Sequence, residues 1–367
     1  MTIEDLALYF TKGIGSRGAA HLIEYFGSAE ALFGASRSEL KEGAGLREEL
    51  AERILSGEGM QAAEREIKYC QKHDIHLLAA TDKEYPETLR ATVDRPHILF
   101  VQGEVSTLSK QTLAMVGTRE ISPSGIHTAN ILINDLAKSV DDLCIVSGLA
   151  YGADSACHRA ALANGVATVA IVPSTLPNIT PTSHEQLAKE IIKAGGAIIS
   201  ELSSQTRNNG SHFISRNRII AGMSLGTLVV ESPAEGGSLA TADIADSYSR
   251  TLMALPGRIT DTNSFGTNNL IRSGKARLVL TADDIIEDVG LRRKSDDNAP
   301  AQSSKPDVEL SAQEQRVLEA FKEGTTLDWS ELLASTGFTM GELAMVMMDL
   351  ELKGAIRTLP GKRYEAI

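Results

Sequence analysis

The sequence has few cysteines, few aromatic residues and no long apolar run, and each shortage argues against a class of protein. The three cysteines of this 367-residue chain lack both CxxC and metal-ligand spacing, which disfavours a disulfide-stabilised secreted protein and a cysteine metal site. Aromatic residues make up 4% of the chain, too few for a broad stacking platform. No apolar run approaches the roughly 20 residues of a membrane span, and the start lacks a signal-peptide pattern. We therefore expect a cytoplasmic protein without a membrane partner.

The charge of the chain is strongly acidic, with one local exception. A formal net charge of -12 argues against coating nucleic acid over the whole surface, because such binding uses many Lys and Arg contacts with phosphate. Residues 202–230, however, contain no Asp or Glu but include Arg207, Arg216 and Arg218. We expect any anion site to be local and to involve this stretch.

The pattern of apolar residues divides the chain into several segments. Residues 1–75 have helical periodicity with two glycine hairpins, at 13–15 and 43–46, which indicates a helical domain of the SAM or helix-hairpin-helix kind. Such hairpins either contact DNA phosphate or simply join helices, and the glutamates around the second hairpin favour the simple turn. Residues 76–110 form a connecting segment.

Residues 111–290 alternate short apolar strands with helical patterns, which is typical of a parallel sheet with helices on both faces. The fold class is therefore α/β, an extended Rossmann-like doubly wound parallel sheet. A polar, proline-containing linker at 291–308 and a winged helix at 309–367 follow. The predicted strands are 112–117, 143–147, 167–172, 197–200, 227–231, 251–255 and 277–280.

The third helix of the predicted winged helix does not resemble a DNA-reading helix. Residues 341–352 contain three acids and no Lys or Arg, whereas a major-groove recognition helix uses basic side chains. Only the wing is basic, with Lys362 and Arg363. We interpret the domain as a module for a protein partner, because methionine-rich surfaces adapt to partners. The alternative is that these methionines fill the core of the domain.

Loops of small residues follow three of the predicted strands. Residues 117–119 precede a helix start at Ser122-Pro123, residues 147–152 precede another helix, and residues 236–238 form a Gly-Gly-Ser turn before a third. In an open α/β sheet such loops meet at one edge, where ligands bind. A glycine turn at a helix start also exposes backbone N–H groups to an anion. The sequence therefore predicts a phosphate-binding site at this edge.

The order of these motifs resembles the DNA-processing protein A (DprA/Smf) family over nearly the whole chain. That family commonly joins a helical N-terminal domain, an extended Rossmann domain and a small winged-helix tail. The chain departs from the family pattern at Ile214, where proline is usual, and at Thr180, where tyrosine is usual. The motifs that carry the resemblance are 117–119, 147–154, 158–159, 200–201, 213–222, 237–242 and 256–257.

The resemblance implies a non-enzymatic role without a cofactor. Members of the family bind single-stranded DNA as homodimers, protect incoming DNA and load the RecA recombinase onto it during natural transformation and DNA recombination. The implied partners are therefore single-stranded DNA, RecA and a second copy of the chain. The resemblance implies a strand-binding pocket lined by Arg119, Gly148, Phe213, Arg216, Asn217, Arg218, Gly237 and Ser238.

The residues of this implied site differ in how well they suit the binding of a single strand. A single strand is held by a positive groove and by an aromatic ring on which a base stacks, and Phe213 beside two arginines fits that description, although a lone Phe is also a common core residue. On a helix starting near Ser215, Arg216 and Arg218 face different directions, so we expect one to pair internally, with Glu201 or Glu231, and the other to contact the ligand. Arg119 has the least use in the local structure, so it is the strongest candidate for a contact with the DNA strand.

Two further basic residues are candidates for the edge of the site. Arg207 lies in a loop rich in Gly and Asn, where some family members offer a lysine, and we expect it to be solvated unless DNA orders the loop. Lys275 lies in a second stretch without acids, residues 262–280, which would extend a positive rim or form an ordinary exposed face.

Three kinds of enzyme are less consistent with the sequence. A nicotinamide enzyme would need a Gly-x-Gly-x-x-Gly turn after the first strand, which is absent. A nucleotide phosphoribohydrolase of the LOG kind is the better alternative, but it needs a catalytic glutamate after the Gly-Gly turn, and here the first acid is Asp243. The histidines are scattered, so no metal site is expected. We predict no catalytic residue.

Overall fold

The computed structural model describes residues 1–207, 209–294, 311–321, 326–353, 355–359 and 363–366. The chain separates into two compact units, Met1–Lys294 and Ser295–Ile367. Most of the predicted linker, from residue 295 to residue 308, lies outside the described residues. Among the described helices, none combines the length and the apolarity that a bilayer span needs.

The first unit begins with a group of helices around a small core. The first helix starts at a capping box, in which Thr2 and Asp5 bind each other's backbone N–H groups. Leu8, Leu22 and Leu40 are fully or almost fully buried between the helices. The first glycine hairpin lies at the turn between the first two helices, whereas the second begins at the end of a short π-helix, Glu39–Gly43. The helices are α1 (Ile3–Phe10), α2 (Ser16–Phe26), α3 (Ala29–Phe33), α4 (Glu48–Leu55) and α5 (Met60–Lys72).

The centre of the first unit is a nine-stranded sheet in the order β1-β2-β6-β5-β4-β3-β7-β8-β9. All neighbours are parallel except β1–β2 and β2–β6. The predicted strands are present with small shifts at their ends, and residues 76–110, to which the sequence analysis assigned no strand, contribute β1 and β2. The strands are β1 (His76–Ala79), β2 (Ile98–Gly103), β3 (Gln111–Val116), β4 (Leu143–Ser147), β5 (Ala167–Ile171), β6 (Ala197–Ser200), β7 (Gly226–Val229), β8 (Thr251–Ala254) and β9 (Arg277–Leu278).

Helices cover both faces of the sheet, as the apolar strands predict. Ala114 belongs to the core on one face and Leu113 to the core on the other, because successive residues of a strand point to opposite faces. The α/β fold class is confirmed by this sheet. The helices of this part are α6 (Glu87–Arg90), α7 (Pro123–Ser139), α8 (Ala153–Ala163), α9 (Glu185–Lys193), α10 (His212–Met223), α11 (Gly237–Ser247), α12 (Phe265–Arg272) and α13 (Ala282–Val289).

The order of the strands places a switch point between β3 and β7. The chain runs outward from β3 through β4, β5 and β6, and it then crosses to β7 and continues to β8 and β9 on the other side. The loops that follow β3 and β7 therefore diverge at their carboxyl ends and leave a crevice. This crevice is where a ligand of a doubly wound sheet is expected.

The second unit has the three helices and the hairpin of a winged helix. Leu332, Leu343 and Leu350 form its core, and Trp329 packs half-buried against them, with its ring centroid 5.7 Å from that of Tyr364. The elements are α14 (Ala312–Leu318), α15 (Trp329–Thr336), α16 (Met340–Leu352), β10 (Thr326–Asp328), β11 (Ile356–Leu359) and β12 (Arg363–Ala366).

The methionines of α16 divide between the core and the surface. Met347 is buried, whereas Met340, Met345 and Met348 are each more than 60% exposed. The core-filling alternative, which concerned residues 341–352, is therefore wrong for Met345 and Met348. Of the predicted basic wing, Lys362 lies outside the described residues.

Candidate functional site

A pocket of about 540 Å³ opens at the switch point of the sheet. Its lining comes from the loops after β3, β4 and β7 and from α10, so the predicted convergence of these loops is confirmed. The lining residues include Gly117–Glu120, Ala150, Asp154, Phe213, Ile214, Arg216, Asn217, Ile220, Pro233, Glu235–Ser238, Thr241 and Asn263.

The loop after β3 is held against the start of α8. Gly152 has a φ of +75°, and a side chain at this position would overlap the backbone of Thr118 and Arg119. The N–H of Ala153 donates a hydrogen bond to the carbonyl of Thr118, at 3.0 Å. The contact fixes the backbone from which Arg119 extends.

The helix α10 begins at His212, three residues before the start that the sequence analysis placed near Ser215. The earlier start places Phe213, Arg216 and Asn217 at i, i+3 and i+4, so they share the face of the helix that lines the pocket. Arg218 points in another direction, as predicted for two arginines two residues apart, and it does not line the pocket.

Arg216 is buried beneath the pocket rather than presented to its opening. Only 5% of the residue is exposed, and its guanidinium donates to the carbonyls of Gly148 and Ile171. Burial lowers the pKa of Arg216 to about 10, a shift that the nearby Asp154 carboxylate partly offsets. The side chain is therefore charged at neutral pH and joins α10 to the ends of β4 and β5.

Gly148 lies under the pocket and is not part of its lining. A Cβ at this position would overlap the guanidinium of Arg216 and the carboxylate of Asp154. Asp154 accepts hydrogen bonds from the N–H groups of Gly148 and Ala150, at 3.1 and 3.3 Å. Burial nevertheless raises the pKa of Asp154. The glycine is needed because two charged side chains pack against its backbone.

Arg218 forms an ion pair with Glu201, one of the two partners that the sequence analysis named. Both side chains are largely buried, with exposed fractions of 15% and 17%. Burial raises the pKa of Glu201, and the Arg218 charge opposes this shift. Arg218 therefore lies inside the protein, paired with Glu201, and does not reach the pocket.

Arg119 and Phe213 form the open side of the pocket. Arg119 is exposed, and its guanidinium carbon lies 6.0 Å from the centroid of the Phe213 ring, which is a cation–π contact. Within the described residues, Arg119 forms no ion pair. Phe213 is half-buried and lies outside the apolar cores, so its interpretation as a core residue is wrong.

The Gly-Gly-Ser turn leads into α11 without a side-chain cap. The backbone N–H groups at the start of an uncapped helix are free to bind an anion, and the helix dipole favours a negative charge there. The side chains next to the turn are already bound: Asn217 donates to the carbonyl of Gly237 at 3.4 Å, and Ser238 donates to Ser232 at 2.9 Å. Asn217 and Ser238 therefore shape the turn.

Besides Gly148 and Arg218, two further predicted residues lie outside the pocket lining. Arg207 is exposed in the loop between β6 and α10. Lys275 forms an exposed ion pair with Asp243, at 3.1 Å. Neither residue lines the pocket.

Three residues contribute to the pocket or its surroundings in roles that the sequence did not predict. Glu231 accepts hydrogen bonds from the N–H and hydroxyl of Ser122, the N-cap residue of α7, whose hydroxyl oxygen accepts from the N–H of Gly125. Asn263 lines the pocket and donates to the carbonyl of Glu120, at 2.6 Å. Glu235 also lines the pocket. Glu231 is the last residue of the predicted strand 227–231, and this position at a strand end is the sequence signal that could have identified it.

The charges of the lining are mixed. Arg119 and Arg216 are opposed by Glu120, Asp154 and Glu235, of which Asp154 is buried beside Arg216 and bound by backbone N–H groups. An anion in this pocket would therefore meet Arg119 and the start of α11, since the charge of Arg216 is balanced internally.

The described residues hold no group of three or more His, Cys, Asp or Glu side chains that could bind a metal. His158 is fully buried, its Nδ1 lies 2.7 Å from the hydroxyl of Thr168, and burial lowers its pKa to about 3. A neutral, enclosed imidazole of this kind has no access to a ligand.

Comparison with known proteins identifies the family. The model of the family described as DNA recombination-mediator protein A matches residues 76–290, and that of the DprA winged helix domain matches residues 299–362. The chain belongs to the DNA recombination-mediator protein A family. The first match includes β1 and β2, and the second includes the described helices of the winged-helix unit.

Relatives in this family cover most of the chain. Protein Smf of Escherichia coli is 35% identical, over 86% of this chain and 84% of its own length. The X-ray structure of DNA processing protein A from Streptococcus pneumoniae is 28% identical, with a TM-score of 0.66, and covers 78% of this chain and 98% of its own. The Helicobacter pylori protein, whose structure describes a single-stranded DNA binding mode, is 27% identical, with a TM-score of 0.51, and covers 58% of this chain and 94% of its own.

The buried ion pair beneath the site gives a first prediction. We expect Arg218→Ala to lower the free energy of unfolding by about 3 kcal/mol or more, because it leaves Glu201 buried without its partner. Arg277→Ala is the matched control, since the pair of Arg277 with Asp288 is exposed on the arginine side and should contribute less than about 1 kcal/mol. Urea denaturation of both variants measures the difference, and equal losses would show that the buried pair has no special structural role.

Proposed function

We propose that the chain binds single-stranded DNA in the pocket between the Arg119 loop, α10 and the start of α11. The observation that supports this most directly is Arg119 over the half-buried ring of Phe213, next to the uncapped α11. These groups are a free cation, a stackable ring and a set of backbone donors. The Helicobacter pylori relative, described for its single-stranded DNA binding mode, makes DNA the first ligand to test.

The phosphates of the strand would be held by two different kinds of donor. The free N–H groups at the start of α11 bind one phosphate without reading the base. The exposed guanidinium of Arg119 supplies the second contact and the charge. Neither contact depends on the nucleotide sequence, so we expect little sequence preference.

A base of the strand would stack on Phe213. Stacking on an aromatic ring contributes about 1–3 kcal/mol for each base and tolerates any base. In the free protein the Arg119 guanidinium lies over this ring. A base that binds there either replaces the guanidinium or is inserted beneath it, so binding of the base and movement of Arg119 are coupled.

We propose a binding function without catalysis. A ribosyl-transferring site needs a carboxylate aimed at the sugar, and the first turn of α11 contains none. The first acid of that helix, Asp243, is paired with Lys275 at the surface. Release of free base from nucleoside monophosphates at enzymic turnover would contradict this part of the proposal.

We also propose that the protein works as a homodimer in the cytoplasm, protecting incoming DNA and loading RecA in natural transformation and recombination. The family resemblance supports RecA loading, and RecA filament assembly on oligonucleotides coated with single-strand-binding protein, with and without this chain, tests it.

The edge strand β9 supports the dimer, because Leu278 and Leu280 are 43% and 68% exposed there. A monomeric mass in light scattering would contradict the dimer.

The role of Arg119 can be tested through the salt dependence of binding. We expect Arg119→Ala to weaken binding of a labelled oligo-dT about tenfold or more, because it removes a charge-assisted contact with phosphate. The slope of log K against log salt should fall by about 0.7, the value for one lost phosphate contact on a single strand. Fluorescence anisotropy at several salt concentrations measures both quantities.

Two variants separate charge from stacking in the same experiment. Phe213→Ala should weaken binding and leave the salt slope unchanged, since the ring carries no charge. Glu235→Gln should strengthen binding, because it removes an acid from the lining of the pocket. Equal affinity and equal slope for wild type and Arg119→Ala would place the strand elsewhere.

A further inference from the structure

The segment between β6 and α10, residues 201–211, leads from the sheet to the pocket and carries Arg207. Its two halves are held differently. Residues 201–206 contact the N-terminal helices, whereas residues 209–211 form hydrogen bonds only with residues 209–215 in the described part of the chain. The position of Arg207 therefore depends on the anchoring of the first half.

The main anchor of the first half is Glu66 on α5. This carboxylate is 1% exposed, and its two oxygens accept hydrogen bonds from the N–H and the hydroxyl of Ser204, both at 2.7 Å. The amide of Gln205 donates to the same carboxylate at 3.3 Å and to the carbonyl of Ala62 at 3.1 Å. One buried side chain of the N-terminal helices thus holds two consecutive residues of the segment.

Tyr9 on α1 is a second anchor on the same segment. Its hydroxyl donates to the carbonyl of Glu201 at 3.0 Å and accepts from the N–H of Ser203 at 3.1 Å. Glu201 in turn binds Arg218 on α10. The N-terminal helices are therefore connected by hydrogen bonds to the segment and, through it, to the helix of the pocket.

The hydrogen bonds of the buried Glu66 carboxylate hold the segment more specifically than packing alone would. A buried carboxylate is costly unless donors satisfy it, and in the described residues Glu66 forms no ion pair, so neutral donors satisfy it. The donors nearest in sequence to Arg207 are those of Ser204 and Gln205. Because two residues of backbone span at most about 7 Å, fixing Gln205 confines Arg207 to a small region.

We propose that Glu66 is a positioning residue for DNA binding: it holds the 201–206 segment so that Arg207 contacts the strand beyond the pocket. The proposal rests on the proposed DNA-binding function and extends it to the N-terminal helices. Their role is then to fix a basic residue of the segment that joins β6 to α10, without touching the DNA themselves.

The test compares two glutamates of α5. Glu66→Ala removes all the acceptors of the anchor and keeps good helix propensity, whereas Glu64→Ala makes the same change at an exposed position of the same helix. We expect Glu66→Ala to weaken oligo-dT binding about five- to tenfold in fluorescence anisotropy and Glu64→Ala to have no effect. Glu66→Gln should be intermediate, because an amide retains one acceptor oxygen.

A double-mutant cycle with Arg207→Ala separates positioning from loss of stability. If Glu66 acts through Arg207, Arg207→Ala alone weakens binding, and Glu66→Ala has almost no further effect in the Arg207→Ala background. Additive losses, or normal binding by Arg207→Ala, would overturn the proposal. Tyr9→Phe provides a second route should Glu66→Ala fail to fold, since it removes only one hydroxyl, and it should weaken binding while Arg207 is present and not in its absence.

The outcomes also distinguish this inference from the proposed function. If wild type does not bind oligo-dT, the DNA-binding function itself is wrong. If wild type binds and Arg119→Ala weakens it, but Glu66→Ala and Tyr9→Phe bind like wild type, only the positioning role of Glu66 is wrong.

Discussion

The burial of one guanidinium, that of Arg216, is the constraint on which the site depends. A buried cation must be satisfied by acceptors, and here the carbonyls of Gly148 and Ile171 provide them, with Asp154 nearby. These acceptors lie at the ends of β4 and β5, so α10 is fixed across the carboxyl edge of the sheet. Phe213, one turn earlier on the same helix, is thereby held at the side of the pocket.

The arginines near the site have separate tasks. Arg216 connects a helix to two strands, Arg218 neutralises the buried Glu201, and Arg119 is free to meet a ligand. The stretch 202–230 without acids therefore contributes to the lining of the pocket, but two of its three arginines serve the fold. The cation available to an anion comes from a different loop, 94 residues earlier in the chain than Phe213.

The sequence predicts the strands well because the interior of a doubly wound sheet requires nearly continuous apolar runs, and β4 and β6 lie at the predicted residues. It also predicts that the loops meet, because the carboxyl ends of parallel strands lie at one edge of the sheet. It does not reveal β1, whose four residues include an exposed histidine, or the contacts of Arg119 with Phe213 and of Glu66 with Ser204. Such contacts join residues far apart in the chain, and periodicity carries no information about them.

The single tryptophan of the chain, Trp329, lies in the winged-helix unit, half-buried beside Tyr364. Tryptophan emission therefore reports the surroundings of this unit alone, whereas far-ultraviolet circular dichroism is dominated by the larger first unit. The two signals together can follow each unit in the intact chain, without truncation or labelling. A denaturation experiment that compares them would show whether the two units lose their structure in one cooperative step or in two.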